Sequence, residues 1–167
     1  MSWILLVIAL VIISFSFVVF FGAPYVPTLQ PQARIAIEMI NLKPGETLLE
    51  LGCGDGKLLV LAAQTGVYAV GYELNPILVI VAWLRTMRYR KYVKVVWGNL
   101  WNVKKWPDAD GIFVFLLQKH MAKLDKKIMQ WHEGKSKPLK LVSFAFTIPG
   151  KAPAKQNKLG VYLYEYK

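Results

Sequence analysis

The sequence is poor in cysteine, histidine and acid. It has one cysteine, Cys53, two histidines, and 10 Asp and Glu residues against 21 Lys and Arg in a chain of 167. A single cysteine excludes an internal disulfide framework and a Cys-rich zinc site, and is compatible with a reducing compartment. His120 and His132 form no HxxxH pair and stand near no CxxC, so no metal is expected. His120 reads as a solvated residue at a helix start, and His132 as a surface residue. The shortage of acid leaves a formal net charge of +11, which favours contact with an anionic surface such as lipid headgroups or nucleic acid. No internal repeat or low-complexity tract is present, and the length suits one folded domain of ordinary size.

Charge is absent altogether from Trp3 to Phe21, where only Ser14 and Ser16 are polar. As a helix this run rises about 28 Å at ~1.5 Å per residue, enough to span a bilayer. No basic segment precedes it and Phe21-Gly22-Ala23-Pro24 is a poor cleavage site, so an uncleaved anchor is expected rather than a signal peptide. All Lys and Arg lie after the span, and positive-inside logic then puts the remainder in the cytoplasm. The expected division is a transmembrane anchor over 1–22, a proline-stiffened connector over 23–31, and a folded domain over 32–167.

Within that domain the stretch Glu50-Leu51-Gly52-Cys53-Gly54-Asp55-Gly56-Lys57 sits between Thr47-Leu48-Leu49 and Leu58-Leu59-Val60-Leu61-Ala62-Ala63. This pattern predicts a strand, a glycine turn and a helix. Glycines at alternate positions allow positive φ and close approach of a ligand, while the helix start presents free N–H groups. The dinucleotide fingerprint G-x-G-x-x-G is not met, because Lys57 stands where its third glycine belongs, so NAD and FAD are disfavoured. Glu50 would repel a pyrophosphate but favour an ammonium or sulfonium. Glu73 ends a second buried strand 21 residues after Gly52, where an acid accepts ribose hydroxyls. S-adenosylmethionine carries both cations and the ribose.

Around this centre, helical spacing of Ala33, Ala36, Ile37 and Ile40 predicts a helix over 32–40. Asn75-Pro76 is read as an N-cap and first helical position, with Ile77, Ile80, Val81 and Leu84 as the buried face of the next helix. Strands are expected over Val93–Trp97, Ile112–Leu116, Leu139–Ile148 and Leu159–Tyr166, with no long helix between the first two. Lys119–Trp131 reads as an amphipathic basic helix with Met121, Leu124, Ile128 and Trp131 inward, and 151–158 as a mobile loop. The fold class is therefore α/β: a Rossmann-like, mostly parallel sheet of about six strands with flanking helices, preceded by one N-terminal transmembrane helix.

Glu50 to Gly56, Gly71-Tyr72-Glu73-Leu74-Asn75-Pro76 and Gly98-Asn99 together resemble the class I S-adenosylmethionine-dependent methyltransferases. That resemblance implies a cofactor site built from Glu50, Gly52, Cys53, Gly54, Gly56, Glu73, Leu74 and Asn99, with Asn99 at the adenine in place of the usual acid. The anchor, Pro24-Tyr25-Val26-Pro27-Thr28 and the terminal Val161-Tyr162-Leu163-Tyr164-Glu165 add a narrower likeness. They resemble the membrane-tethered protein lysine methyltransferases of ATP synthase subunit c and the adenine nucleotide translocase, and their prokaryotic relatives. The implied reaction is N-methylation of a lysine in a membrane or membrane-associated protein, with Tyr25 and Asn99 positioning the amine. The implied location is the cell membrane, or the mitochondrial inner membrane in a eukaryote. A lipid or small amine as acceptor, or a non-catalytic S-adenosylmethionine-binding membrane module, are the alternatives.

Trp97, Trp101 and Trp106 are suited to stacking on bases, yet the Asn/Asp-Pro-Pro-aromatic signature of base-methylating enzymes is missing after the fourth strand, where Phe115-Leu116-Leu117-Gln118 stands. Nucleic acid is accordingly not expected as a partner. The tryptophans are assigned to core or membrane-interface packing, and the basic runs 85–94 and 119–140 to solvated faces drawn to anionic lipid. The sequence carries no indication of oligomeric state.

Overall fold

The computed structural model describes residues 3–9, 12 and 30–167. Residues 3–9 are helical and exposed. Among the described residues no helix is long and apolar enough to cross a membrane. Most of the Trp3–Phe21 run lies outside them, as do Tyr25 and the connector up to residue 29.

Helix α1 spans Gln30–Ile40 and so takes in Pro31, which was expected in the connector. Pro31 fits there because the N–H it lacks would have no helical acceptor in the first turn. Ala33, Ala36 and Ile40 form its buried face. The remaining elements are β1 (Thr47–Leu51), α2 (Lys57–Gln64), β2 (Tyr68–Glu73), α3 (Pro76–Thr86), β3 (Val93–Trp97), β4 (Gly111–Val114), α4 (Gln118–His132), β5 (Leu139–Phe144), β6 (Lys155–Gln156) and β7 (Val161–Tyr166). All seven strands form one sheet in the order β3-β2-β1-β4-β5-β7-β6. The first five are parallel, while β7 runs antiparallel to both β5 and β6. Strand order reverses between β1 and β4, and in open α/β sheets such a switch point opens a crevice at the carboxyl ends of the strands.

Alternation along each strand divides the core into two layers. Leu48, Ala69, Phe113, Val142 and Leu163 pack with residues of α1, α2 and α3. Leu49, Tyr72, Ile112, Leu141 and Tyr164 pack with Met121, Leu124 and Ile128 of α4. On the α4 side the 98–110 segment covers sheet where a helix would otherwise lie. Lys127 Nζ donates to the carbonyls of Trp101 (3.1 Å) and Val103 (2.8 Å), and Trp131 Nε1 donates to the carbonyl of Trp106 (3.1 Å). Lys123 stands over the Trp101 ring and Lys135 over the Trp131 ring. The basic side of α4, expected to be solvated, is thus partly engaged in holding this segment down.

Four further expectations need correction. Ile80 and Leu84 of α3 face outward, and the buried side consists of Leu78, Val79, Ala82 and Thr86. The helix is apolar on two faces, so periodicity alone did not choose between them. Strand β5 stops at Phe144 because Ala145 takes φ 67°, and the chain then folds back with Ser143 Oγ donating to the Phe146 carbonyl at 2.8 Å. The 151–158 segment contains β6, bringing the strand count to seven; Ala154 N–H also donates to the Leu163 carbonyl at 2.7 Å. His132 is buried at the end of α4, and neither ring nitrogen has a hydrogen-bond partner among the described residues. Burial, then Lys135, holds its pKa below the ordinary value.

Candidate active site

Strand β1 delivers its last residues to the switch point, where a left-handed turn begins. Gly52, Gly54 and Gly56 have φ of 90°, 54° and 75°, so each glycine of the stretch occupies a conformation that side-chain-bearing residues rarely adopt. The turn is fastened to β2, because the N–H groups of Gly52 and Cys53 both donate to the Tyr72 carbonyl at 2.9 Å. Gly56 then starts α2, and Asp55 Oδ1 accepts from Lys57 N–H at 3.3 Å.

Glu73, at the end of β2, is buried and meets this turn from the side. Its Oε2 accepts from Gly54 N–H and its Oε1 from Asn75 N–H, both at 2.8 Å. A carboxylate has about four acceptor positions, so these bonds do not exhaust it. Asn75 is wholly buried and caps α3 through Oδ1, which accepts from Ile77 N–H at 2.9 Å and from Leu78 N–H at 3.4 Å. Loop, carboxylate and helix start are therefore one connected piece.

Glu50 differs from Glu73 in one decisive respect. Its side chain is buried, and its Oε2 has no hydrogen-bond partner among the described residues. Burial pushes its pKa well above the ordinary carboxylate range, with Asp55 and then Glu73 adding repulsion. Glu73 is also raised by burial, but the N–H groups of Asn75, Gly54 and Leu74 work against that rise. A buried acceptor without a donor is costly, and an ammonium group is its electrostatic complement.

The other predicted residues fall into place unevenly. Cys53 is buried against β2, and a Cβ at Gly71 would lie 2.7 Å from both its Cβ and its Sγ. Its thiol is pushed well up by burial, then by Glu50 and Glu73, which suits packing rather than nucleophilic chemistry. Leu74 is half-buried, and its carbonyl accepts from Trp97 Nε1 at 3.1 Å. Asn99 follows β3 and shapes the next turn, its Oδ1 accepting from Trp101 N–H at 2.9 Å. Tyr25 lies outside the described residues. His120 is half-buried, with its ring centroid 5.7 Å from that of Trp101. Trp106 is buried in the core, whereas Trp97 is exposed.

Two contributors escaped the sequence reading. Arg85 Nη1 lies 3.0 Å from Asp55 Oδ2 and ties α3 to the start of α2. The Tyr72 carbonyl anchors the turn, and a backbone acceptor leaves no mark in a sequence.

Residues 50–155, which contain this whole arrangement, match the family model described as the ANTKMT methyltransferase domain. The chain belongs to that family. It thus carries a methyltransferase domain, and the family resemblance drawn from the motifs is borne out. Among curated relatives, a human lysine N-methyltransferase named for the C subunit of ATP synthase is 34% identical over 112 residues, covering 63% of this chain and 45% of that protein. The Xenopus laevis protein of the same name is 32% identical, with 63% of this chain and 46% of that protein covered. This chain therefore spans about half the length of those relatives. A protein-lysine N-methyltransferase of Saccharolobus islandicus (strain REY15A) is 30% identical, over 84% of this chain and 92% of that one. Among solved structures, an RNA methyltransferase from Salinibacter ruber in complex with S-adenosyl-L-homocysteine has a TM-score of 0.73 at 24% identity, covering 84% of this chain and 92% of that one. At that identity the likeness speaks for the Rossmann-like methyltransferase fold alone.

The residues present fit the cofactor. The unpaired Glu50 oxygen matches an ammonium, Glu73 has acceptor capacity for a ribose, and at Gly52 an added Cβ would meet nothing within 4 Å, which leaves room at the turn.

Proposed function

We propose that this ANTKMT-family chain is a protein-lysine N-methyltransferase, acting on a lysine of a membrane or membrane-associated protein and tethered by its Trp3–Phe21 run. The observation that carries the binding half of this reading is the buried, donor-less Glu50 oxygen beside the glycine turn. The acceptor half is supported by the lysine methyltransferases among its relatives and by the uncharged apolar run. The domain is assigned to the cytoplasmic side, where the positive-inside rule puts its basic residues.

When bound, S-adenosylmethionine supplies an electrophilic methyl group on a sulfonium, which an amine lone pair can take by in-line displacement. Glu50 holds the amino-acid ammonium, and Glu73 accepts from the ribose hydroxyls. Gly52, Cys53, Gly54 and Gly56 form the turn against which the cofactor lies, with Leu74 beside it. Asn99 lends its carboxamide NH2 to an acceptor on the adenine edge, since its oxygen already serves Trp101 N–H. Tyr25 and Asn99 are proposed to position the acceptor amine. A free lysine with pKa near 10.4 is almost wholly protonated at neutral pH, so proximity and loss of a proton both limit the step.

The test is incubation of the detergent-solubilised protein with isotope-labelled S-adenosylmethionine and host membranes, followed by mass spectrometry. Label on lysine of a membrane protein is expected. Label confined to the lipid extract would favour a lipid amine as acceptor, and cofactor binding without any transfer would favour a non-catalytic module.

A further inference from the structure

Helix α3 carries a second apolar stripe that the fold does not use. Ile80, Trp83, Leu84 and Met87, at spacings of three, four and seven residues, are each about half or more exposed, on a side of the helix separate from Leu78, Val79 and Ala82. The stripe lies beside β3, the edge strand, because Trp83 Nε1 donates to the Val95 carbonyl at 3.3 Å. On the same edge Trp97 is exposed, its Nε1 satisfied by the Leu74 carbonyl. Both indoles thus meet their polar requirement against the protein and leave apolar ring surface outward.

The charge around this stripe is one-sided. From Leu74 to Pro107 the chain has seven Lys and Arg residues and no Asp or Glu. Arg88, Arg90 and Lys91 follow the stripe directly and are all exposed. Exposed aromatic and aliphatic side chains followed by a run of exposed cations match the interface of an anionic bilayer, where rings sit at headgroup level and Lys and Arg reach phosphates. We propose that the Ile80, Trp83, Leu84, Met87 and Trp97 surface docks onto anionic lipid, as a second membrane contact distinct from the N-terminal run. This deepens the membrane-proximal reading above and rests on it. Glu73 pairs in register with Trp97, so docking at this edge puts the cofactor carboxylate next to the bilayer surface. A lysine emerging from the membrane is the acceptor such a pose serves.

The experiment attaches a nitroxide to the full chain at Leu84→Cys, with Ile12→Cys and Lys126→Cys as separate reporters; Cys53 is buried and does not compete. Collision rates with oxygen and with a water-soluble nickel complex are measured in phosphatidylcholine vesicles with and without phosphatidylglycerol. The expected result is a several-fold rise in the oxygen-to-nickel ratio at Leu84→Cys when phosphatidylglycerol is present, with Lys126→Cys unchanged. Adding R88E, R90E and K91E should abolish that rise. A water-exposed label at Leu84→Cys, while Ile12→Cys lies in the bilayer, overturns the docking surface and leaves the anchor standing. The converse result keeps the docking surface and removes the anchor. Spin–spin broadening at Leu84→Cys in lipid-free micelles would show a second copy of the chain as occupant and also overturn the proposal.

Discussion

The Gly54 N–H points at Glu73 Oε2 over 2.8 Å, joining the turn after β1 to the carboxylate that ends β2. Two functional parts from different strands are thereby held at fixed separation before any ligand arrives, which is how a binding site avoids ordering costs on binding. Glu73 accepts from Asn75 N–H as well, so it has both a structural and a ligand-holding role.

Glu73→Ala leaves two buried N–H groups without acceptors, at about 1–3 kcal/mol each, and also removes the ribose partner. Calorimetric titration with S-adenosylhomocysteine should show affinity falling about 10- to 100-fold, together with a lower melting temperature. Glu73→Gln keeps one acceptor oxygen and should fall between wild type and alanine in both measurements. Wild-type affinity in the alanine variant would remove the ribose assignment.

Glu50 has the opposite balance of stability and binding. Its folded-state pKa is raised by burial, so the fold favours the protonated form. The stability this group contributes is present at acid pH and is lost as pH climbs from the unfolded value near 4.3 through the raised folded value. Glu50→Gln should therefore melt at a higher temperature than wild type at pH 7, with the difference shrinking towards pH 4. Cofactor affinity should drop about 10- to 100-fold, the worth of a charged hydrogen bond. Paired melting curves and titrations check both halves.

Gly71 is required by its neighbour rather than by its own backbone angle. An added Cβ would lie 2.7 Å from Cys53 Cβ, Cys53 Sγ and Leu59 Cδ1. Gly71→Ala should cost about 1–3 kcal/mol by overpacking, and should weaken cofactor binding because the displaced residue belongs to the glycine turn. Cys53→Ala in the same chain removes the sulfur but keeps the Cβ, so denaturant titration should recover only part of the loss.

How much was legible beforehand depended on whether one periodicity dominated. The turn from Glu50 to Gly56 and the acid at Glu73 were readable because three glycines at alternate positions have few other uses. The anchoring Tyr72 carbonyl was invisible, since any residue supplies one. Helix α3 misled because Ile77, Ile80, Val81 and Leu84 satisfy helical spacing as well as Leu78, Val79 and Ala82 do, and only the tertiary fit of small Ala82 beside Gly56 selects the second set. Trp106 resolved as assigned: the fold buries it in the core rather than leaving its ring free to stack on bases. His132 was read as a surface residue, whereas the final turn of α4 buries it on the same face as Ile128.

The early end of β5 rests on Ala145, an exposed residue held at φ 67° with its N–H donating to the Gly160 carbonyl at 2.8 Å. A Cβ in the left-handed region costs about 1–2 kcal/mol, which glycine avoids. Glycine also gives back some of that gain through its greater freedom in the unfolded chain. Ala145→Gly should consequently raise the melting temperature by a few degrees, about 2–4 °C per kcal/mol for a domain of this size. Ala145→Val should lower it by more, because branching at Cβ worsens the same clash. Thermal denaturation of the two variants beside wild type decides the matter: equal melting temperatures for all three would mean that the reversal after Phe144 is set by the Ser143 and Ile148 hydrogen bonds alone.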